Sequence, residues 1–327
     1  MAMKHRPILG VDIGGTKCAV CLGTADGRIL ARLEMPTHAE RGPQDILRRL
    51  TDLAHSLARS RSLANEDLLG IGISCGGPLD TRSGLVFSPP NLPGWEGIPV
   101  RAMFEEAFPG TRVVLENDAN ATALAEWRWG AGRGTRNMVY LTQGTGIGGG
   151  LILDERLYRG TNDLAGEVGH QTIVPDGPLC GCGKRGCLEA LASGPAIARI
   201  AREQIAEGSK PTCLPPEGVT LETLTARHVV EAAHAGDALA RAVLEEAGSY
   251  MGIGLANIVQ ILNPERIILG TIAVHAGPLI LEPIRRSLQV HAWQRALSVC
   301  TVVPAELGDR AQDLAAVALI ADEGAAA

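Results

Sequence analysis

The chain has 327 residues, of which 46% are hydrophobic and 20% charged, with a formal net charge of -6. That length suits two ordinary globular domains, and the acidic balance argues against a duplex nucleic-acid surface. No apolar run is long enough to span a bilayer, and the chain reaches Asp12 before a signal-like apolar region forms, so the expected setting is the cytoplasm with small-molecule partners and neither nucleic acid nor membrane.

In chain order, the first predicted unit is a β-hairpin: Ile8–Val11, a glycine loop Asp12-Ile13-Gly14-Gly15-Thr16-Lys17, and a returning strand Cys18–Leu22. It is not a Walker loop, because Thr16-Lys17 reverses the required order and a strand follows instead of a helix. Cys18 and Cys21 form a CxxC along an extended strand, where positions three apart face opposite ways, so they read as core filling. A helix around Pro43–Arg61, a strand Leu69–Ser74 and a turn Cys75-Gly76-Gly77-Pro78 come next.

The apolar strand Val113–Leu115 ends in Glu116-Asn117-Asp118, and Ala119–Trp127 has helical composition. Asp118 therefore sits at a strand-to-helix junction, suited to presenting a side chain into a cleft. Asn117 or Asp118 also suits an N-cap, and the helix N-terminus would keep a basic Asp118 ionised. A second glycine hairpin follows, with Met138–Thr142 and Leu151–Leu153 flanking Gln143–Gly150. Either hairpin alone is explained as an ordinary turn; together, with a Thr at each turn, they suggest backbone N–H groups gripping a polyphosphate from two sides.

The most specific signal is Gly166-Glu167-Val168-Gly169-His170 followed by Cys180-Gly181-Cys182-Gly183-Lys184-Arg185-Gly186-Cys187-Leu188-Glu189. His170, Cys180, Cys182 and Cys187 match a tetrahedral Cys3His zinc set, which leaves no open position for a catalytic water. Three buried thiols are the bland alternative, but the segment is crowded with Gly, Lys and Arg, which points to an exposed loop where unpaired thiols are a liability. A structural zinc there would fix Glu167 and Glu189 toward a polyhydroxylated substrate. The other cysteines, Cys75, Cys213 and Cys300 among them, sit singly or in apolar segments, as in a reducing compartment. Farther on, Gly248–Ile261 is an apolar helix whose small residues Gly252, Gly254 and Ala256 allow close packing in the core or between subunits. The segment Ala311–Ala321 reads as a terminal amphipathic helix.

These motifs, in this order, together with Leu262-Asn263-Pro264-Glu265 leading to Ile267-Ile268-Leu269-Gly270, resemble the ROK family of sugar kinases and sugar-sensing repressors, most of all its bacterial glucokinases. The resemblance implies an α/β, actin-like ATPase fold of two ribonuclease-H-like lobes around an active-site cleft. The small lobe would be residues 1–118 with the C-terminal helix 308–327, and the large lobe residues 119–307 with the zinc loop and a homodimer contact. Carried over by position, Asp118 is the general base, and Asn91, Asn117, Glu167, His170 and Glu189 hold the sugar, His170 using one ring nitrogen for zinc and the other for the sugar. Gly14, Gly15, Thr16, Lys17, Gly144, Thr145 and Gly146 surround the ATP phosphates, with Asp12 near Mg2+. Gly270 and Thr271 lie where the nucleoside passes. The family usually has two glycines there, and a β-branched Thr271 does not readily take a positive φ.

The implied reaction is ATP-dependent phosphorylation of a hexose, glucose first, with N-acetylmannosamine, N-acetylglucosamine, fructose, mannose and allose as alternatives. Family repressors carry a helix-turn-helix domain before the first hairpin; eleven residues before Asp12 are too few for one. An actin- or chaperone-like ATPase shares the fold without needing the cysteine loop.

Overall fold

Short apolar runs separated by glycine turns produce two five-stranded sheets in the computed structural model, which describes residues 6–208 and 210–321. In the first sheet, β1 (Ile8–Ile13) and β2 (Lys17–Gly23) form the expected antiparallel hairpin, and β3 (Ile29–Pro36) extends it. The helix α1 (Gly42–Ser60) crosses over to β4 (Gly70–Cys75), which runs parallel to β1. A small ribbon of β5 (Leu79–Asp80) and β6 (Leu85–Val86), then α2 (Val100–Ala107), leads to β7 (Val113–Asn117), parallel to β4. The order is β3-β2-β1-β4-β7. Central parallel strands must be covered on both faces, and β4 is buried along its whole length.

The second half repeats this plan. After α3 (Asp118–Trp129), β8 (Met138–Gln143) and β9 (Ile147–Leu153) make the second hairpin, edged by β10 (Arg156–Leu157). The chain passes through the cysteine loop into α4 (Leu188–Ala192), α5 (Gly194–Ala206), α6 (Ala226–His234) and α7 (Ala238–Leu262) before returning as β11 (Arg266–Leu269), parallel to β8. Helices α8 (Ile272–Ala276), α9 (Pro278–His291) and α10 (Gln294–Leu297) cross to β12 (Thr301–Pro304), giving the order β10-β9-β8-β11-β12. Two sheets that each open on a hairpin and continue by parallel crossovers are the actin-like pair implied by the resemblance.

The last described helix, α11 (Ala311–Ala321), is buried from Asp313 onward because it lies over β1 and β4 and against α3. Its approach depends on a missing side chain: a Cβ on Gly72 would stand 1.9 Å from the Ala316 carbonyl oxygen. Residues 322–327, the end of the segment 308–327, lie outside the described residues. The small residues of α7 serve the interior of this chain: a Cβ on Gly252 would meet Ser287 of α9 at 2.5 Å, and one on Gly254 would meet Leu188 at 2.6 Å. The CxxC cysteines divide between faces as strand geometry requires, Cys18 packing in the core of the first sheet and Cys21 against Val317 and Ile320 of α11. Among the described residues, no helix is long and apolar enough to cross a membrane.

Ligands of open α/β sheets gather beyond the carboxyl ends of the strands. Here those ends converge: Asp12 from β1, Ser74 from β4, Asp118 beyond β7, Thr142 from β8 and Gly270 beyond β11 all line one cavity of about 490 Å³.

Candidate active site

Two carboxylates face each other in this cavity. Asn117 ends β7 and caps α3, its side-chain oxygen accepting from the backbone N–H of Ala119 at 2.9 Å and of Asn120 at 3.3 Å. That leaves Asp118 as the first helical residue, open to the cleft and accepting from Ala119 N–H at 2.8 Å. The helix start favours the ionised form of Asp118; burial between the sheets works against it and pushes its pKa up, with Glu167 adding repulsion, and the backbone N–H bonds oppose this only in part. Asp12 is raised to about 7, by burial first and then by repulsion from Asp118 and Asp313; Lys17 and Arg32 act the other way.

The first hairpin turn reaches the same cavity through Gly14 and Lys17, and Thr16 and Lys17 are exposed there. Gly15 must lack a side chain, because a Cβ would fall 2.4 Å from Asn91; the structure thus seats Asn91 directly on the first glycine turn. The second turn, Gly144-Thr145-Gly146, opens into a further cavity of about 430 Å³ that continues past Gly194, Pro195, Thr225 and Ile272. Gly270 and Thr271 stand between the two cavities, with Thr271 in the first and Ile272 in the second. Thr271 adopts a φ of 55°, contrary to the expectation for a β-branched residue. Its hydroxyl lies 3.0 Å from that of Thr142 on the neighbouring strand, and this contact holds the conformation in place.

On the other side lies the cysteine loop. Cys180 N–H donates to Lys184 O at 2.7 Å and Gly183 N–H to Cys180 O at 2.9 Å, closing a tight turn, while Gly186 passes so close to Val174 O that a Cβ would sit at 1.5 Å. The loop is less exposed than its composition suggests: Cys182 is exposed, but Cys180 and Cys187 are buried. One ligand atom from each of His170, Cys180, Cys182 and Cys187 lies within 4.8 Å of the other three. The separations Cys182 Sγ to Cys187 Sγ and Cys180 Sγ to His170 Nδ1 are both 3.7 Å, close to the edge of about 3.8 Å for a tetrahedron of thiolates around zinc. The donor set therefore fits one tetrahedral ion. His170 turns its other nitrogen, Nε2, toward Glu167 Oε2 at 3.7 Å. Glu189, in the first turn of α4, accepts from Ile147 N–H at 2.9 Å through Oε2 and faces Cys180 Sγ at 3.7 Å through Oε1. It thereby ties the loop to the second hairpin.

The sequence-derived residues thus stand as linked neighbours: Asn91 on Gly15, Asp12 and Asp118 in mutual repulsion, Asp118 beside Glu167, Glu167 by His170, and Glu189 between the loop and Gly146. Thr122, Tyr140, Thr142, His275, Asp309 and Gln312 also line the main cavity. Thr142 was within reach of sequence reasoning as the last cleft-facing residue before the second turn. His275 of α8, Asp309 just before α11 and Gln312 in its first turn belong to no motif.

The chain is similar to known proteins over nearly its whole length. The family model described as ROK family matches residues 8–323. A glucokinase of Halalkalibacterium halodurans is 36% identical over 94% of this chain and 93% of its own length. A xylose repressor of Caldicellulosiruptor bescii is 32% identical over 96% of this chain and 77% of its own length. The crystal structure of a ROK family glucokinase from Streptomyces griseus, in complex with glucose and AMPPNP, superposes with a TM-score of 0.77 at 33% identity, covering 95% of this chain and 97% of that one.

The raised Asp12 pKa has a definite sign in stability. Between the ordinary value of 3.8 and about 7, the folded chain holds a proton that the unfolded chain has released, so this contribution to stability is full below about pH 4 and is lost as pH rises through 7. The ligand-free Asp12→Asn protein is expected to melt above wild type at pH 8, with the gap closing by pH 4. An equal gap at both pH values in thermal unfolding would contradict a raised Asp12.

Proposed function

The chain belongs to the ROK family and is an ATP-dependent sugar kinase, and we propose that it phosphorylates glucose to glucose 6-phosphate with Asp118 as general base. The observation that carries this reading is Asp118 itself, a carboxylate at a helix start, open to the cleft and raised in pKa by its surroundings. A base is most effective when its pKa approaches the working pH. Phosphoryl transfer asks little more of a protein than positioning and charge.

In this reading Asp118 orients the acceptor hydroxyl and takes its proton as the bond to phosphorus forms. Asn91, Asn117, Glu167, His170 and Glu189 hold the other hydroxyls; Glu189 keeps Oε1 for that purpose while Oε2 stays on Ile147. The Gly14–Lys17 and Gly144–Gly146 turns hold the phosphates with backbone N–H groups and the Lys17 ammonium. The nucleoside occupies the cavity beyond Thr145 and Ile272. Asp12 would hold magnesium, which when bound would supply charge neutralisation on the transferred phosphate. Closure of the lobes excludes water that would otherwise compete as acceptor. The preference for glucose rests on the glucokinase relatives, one of them solved with glucose bound.

Zinc is the proposed occupant of the cluster His170, Cys180, Cys182 and Cys187, where it supplies structural rigidity alone, because four protein ligands leave no vacancy. A homodimer is also proposed. The exposed Ile261, Val290 and Trp293 lie where α7 and α9 end together, Trp293 N–H reaching Gln260 Oε1 at 3.3 Å. Light scattering is expected to give twice the chain mass, and a monomer at micromolar concentration would exclude this part of the reading.

A coupled ADP-release assay with Mg-ATP and a panel of hexoses and N-acetylhexosamines should show glucose as the preferred acceptor. Asp118→Asn is expected to lower kcat by about 10³-fold, within the usual range for a lost general base, with glucose affinity largely kept. Turnover near wild type would remove Asp118 from that role. For the cluster, Cys182→Ser, at an exposed position, should abolish stoichiometric zinc and raise the KM for glucose roughly 10- to 100-fold while the KM for ATP stays within a few-fold. Wild-type protein purified without chelator and containing no zinc would overturn the assignment.

A further inference from the structure

A second polar cavity, of about 490 Å³, lies behind the catalytic turn. Its walls come from the β5–β6 turn (Thr81, Arg82), from Arg101 of α2, from Arg112–Leu115 entering β7, and from Arg159, Gly160 and Asp163 of the loop that leads to Glu167. Four arginines and one aspartate line it, which makes it a place for an anion. The aspartate is already engaged: Asp163 Oδ2 accepts from Thr81 N–H at 2.8 Å and from the Thr81 hydroxyl at 3.0 Å. Arg101 braces the turn, donating to Thr81 O at 3.0 Å and Arg82 O at 2.9 Å, with Glu105 at 3.5 Å from its Nε.

Arg159 connects this cavity to the catalytic turn. Its Nε donates to Glu116 Oε2 at 2.6 Å, and its two terminal nitrogens remain for a ligand in the cavity that it lines. Glu116 is wholly buried and occupies the residue before Asn117 and Asp118. Its Oε1 accepts from Asn117 N–H at 2.9 Å and from Asn120 Nδ2 at 3.0 Å. One buried carboxylate thus holds both the strand end and the first turn of the helix that presents Asp118, and Arg159 supplies its counter-charge. A buried carboxylate deprived of its partner is strongly destabilising.

We propose that this cavity is a regulatory site for a phosphate dianion, and that an anion bound there slows turnover by drawing Arg159 away from Glu116. Planar guanidinium groups suit phosphate oxygens, and the volume falls in the range of small-molecule pockets, leaving room for a phosphate carried on a hexose as well as for inorganic phosphate. An anion beside Asp163 would also weaken its tie to Thr81, which joins the two halves of the chain across this cavity. Arg159 and Glu116 act here as positioning residues and touch no substrate.

The inference rests on the kinase reading only for its effect on rate, so binding and rate are measured apart. Isothermal titration is run on the full chain saturated with glucose and AMPPNP, so that the catalytic cleft is occupied; the glucose titration itself tests the substrate reading separately. Inorganic phosphate and glucose 6-phosphate are then titrated as two probes. One further site per chain is expected, and Arg82→Ala/Arg112→Ala should weaken it at least tenfold while leaving basal kcat within twofold. Tighter binding of glucose 6-phosphate assigns the site to the sugar phosphate; equal binding assigns it to the free anion. In wild type the better probe should lower kcat with little change in the KM for ATP, and the double variant should lose this inhibition. No binding by either probe, binding unchanged in the double variant, or inhibition that is purely competitive with glucose and unaltered in that variant would overturn the proposal.

Discussion

The gathering of Asp12 and Asp118 into one cleft at the strand ends is the constraint to which the rest of the site answers. Each sits at the end of a strand, each is raised in pKa mainly by burial, and Asp118 contributes directly to the rise at Asp12. A cleft whose own charges repel favours the entry of positive charge, and it must surround an incoming polyphosphate with donors that add no further carboxylate. Glycine turns meet that need, because backbone N–H groups approach closely only where no side chain intervenes. The same constraint explains Glu116. On strand β7 it alternates with Asn117 and so points to the opposite face, where Arg159 neutralises it. A third carboxylate turned into the cleft would have added to the repulsion; turned away, it stiffens the turn that carries Asp118.

How much of this was legible in the sequence follows from the range of each interaction. Both hairpins were readable because their determinants are contiguous: an apolar run, a glycine turn and another apolar run. The cluster of His170 with three cysteines was readable for a similar reason, since three of its four members fall within eight residues, Cys180–Cys187. The Asn117 cap was local as well, although two residues competed for it until the structure gave the bonds to Asn117. By contrast, the Glu116–Arg159 pair spans 43 positions, and nothing near either residue signals the other. His275, Asp309 and Gln312 enter the cleft only because α8 and the start of α11 are folded over it. The glycines of α7 were rightly seen as packing positions, but the choice between a partner subunit and α9 needed the tertiary fold.

At Asp118 a local effect and a tertiary one oppose each other. A helix N-terminus lowers a carboxyl pKa, and the backbone bond to Ala119 does act that way. Two sheets closing around the same side chain remove more water than that bond replaces. Desolvation is a sum over many distant atoms, so it is invisible in a window of sequence and becomes dominant only when the lobes are assembled.

Thr271 shows the same assembly acting on the backbone. A threonine at positive φ carries strain on the order of 1–3 kcal/mol, and such a conformation persists only when its surroundings fix it more strongly. Here they do so from several directions. Gly270 before it packs against the Tyr140 hydroxyl, where a Cβ would stand 2.5 Å away; the Thr142 hydroxyl meets its own at 3.0 Å; and α8 begins immediately after it. The strain falls where the chain passes from the wall of the cavity holding the carboxylates, at Thr271, to the wall of the cavity proposed for the nucleoside, at Ile272. A glycine would reach this conformation without strain but would place no hydroxyl opposite Thr142. The threonine instead ties the end of β11 to β8.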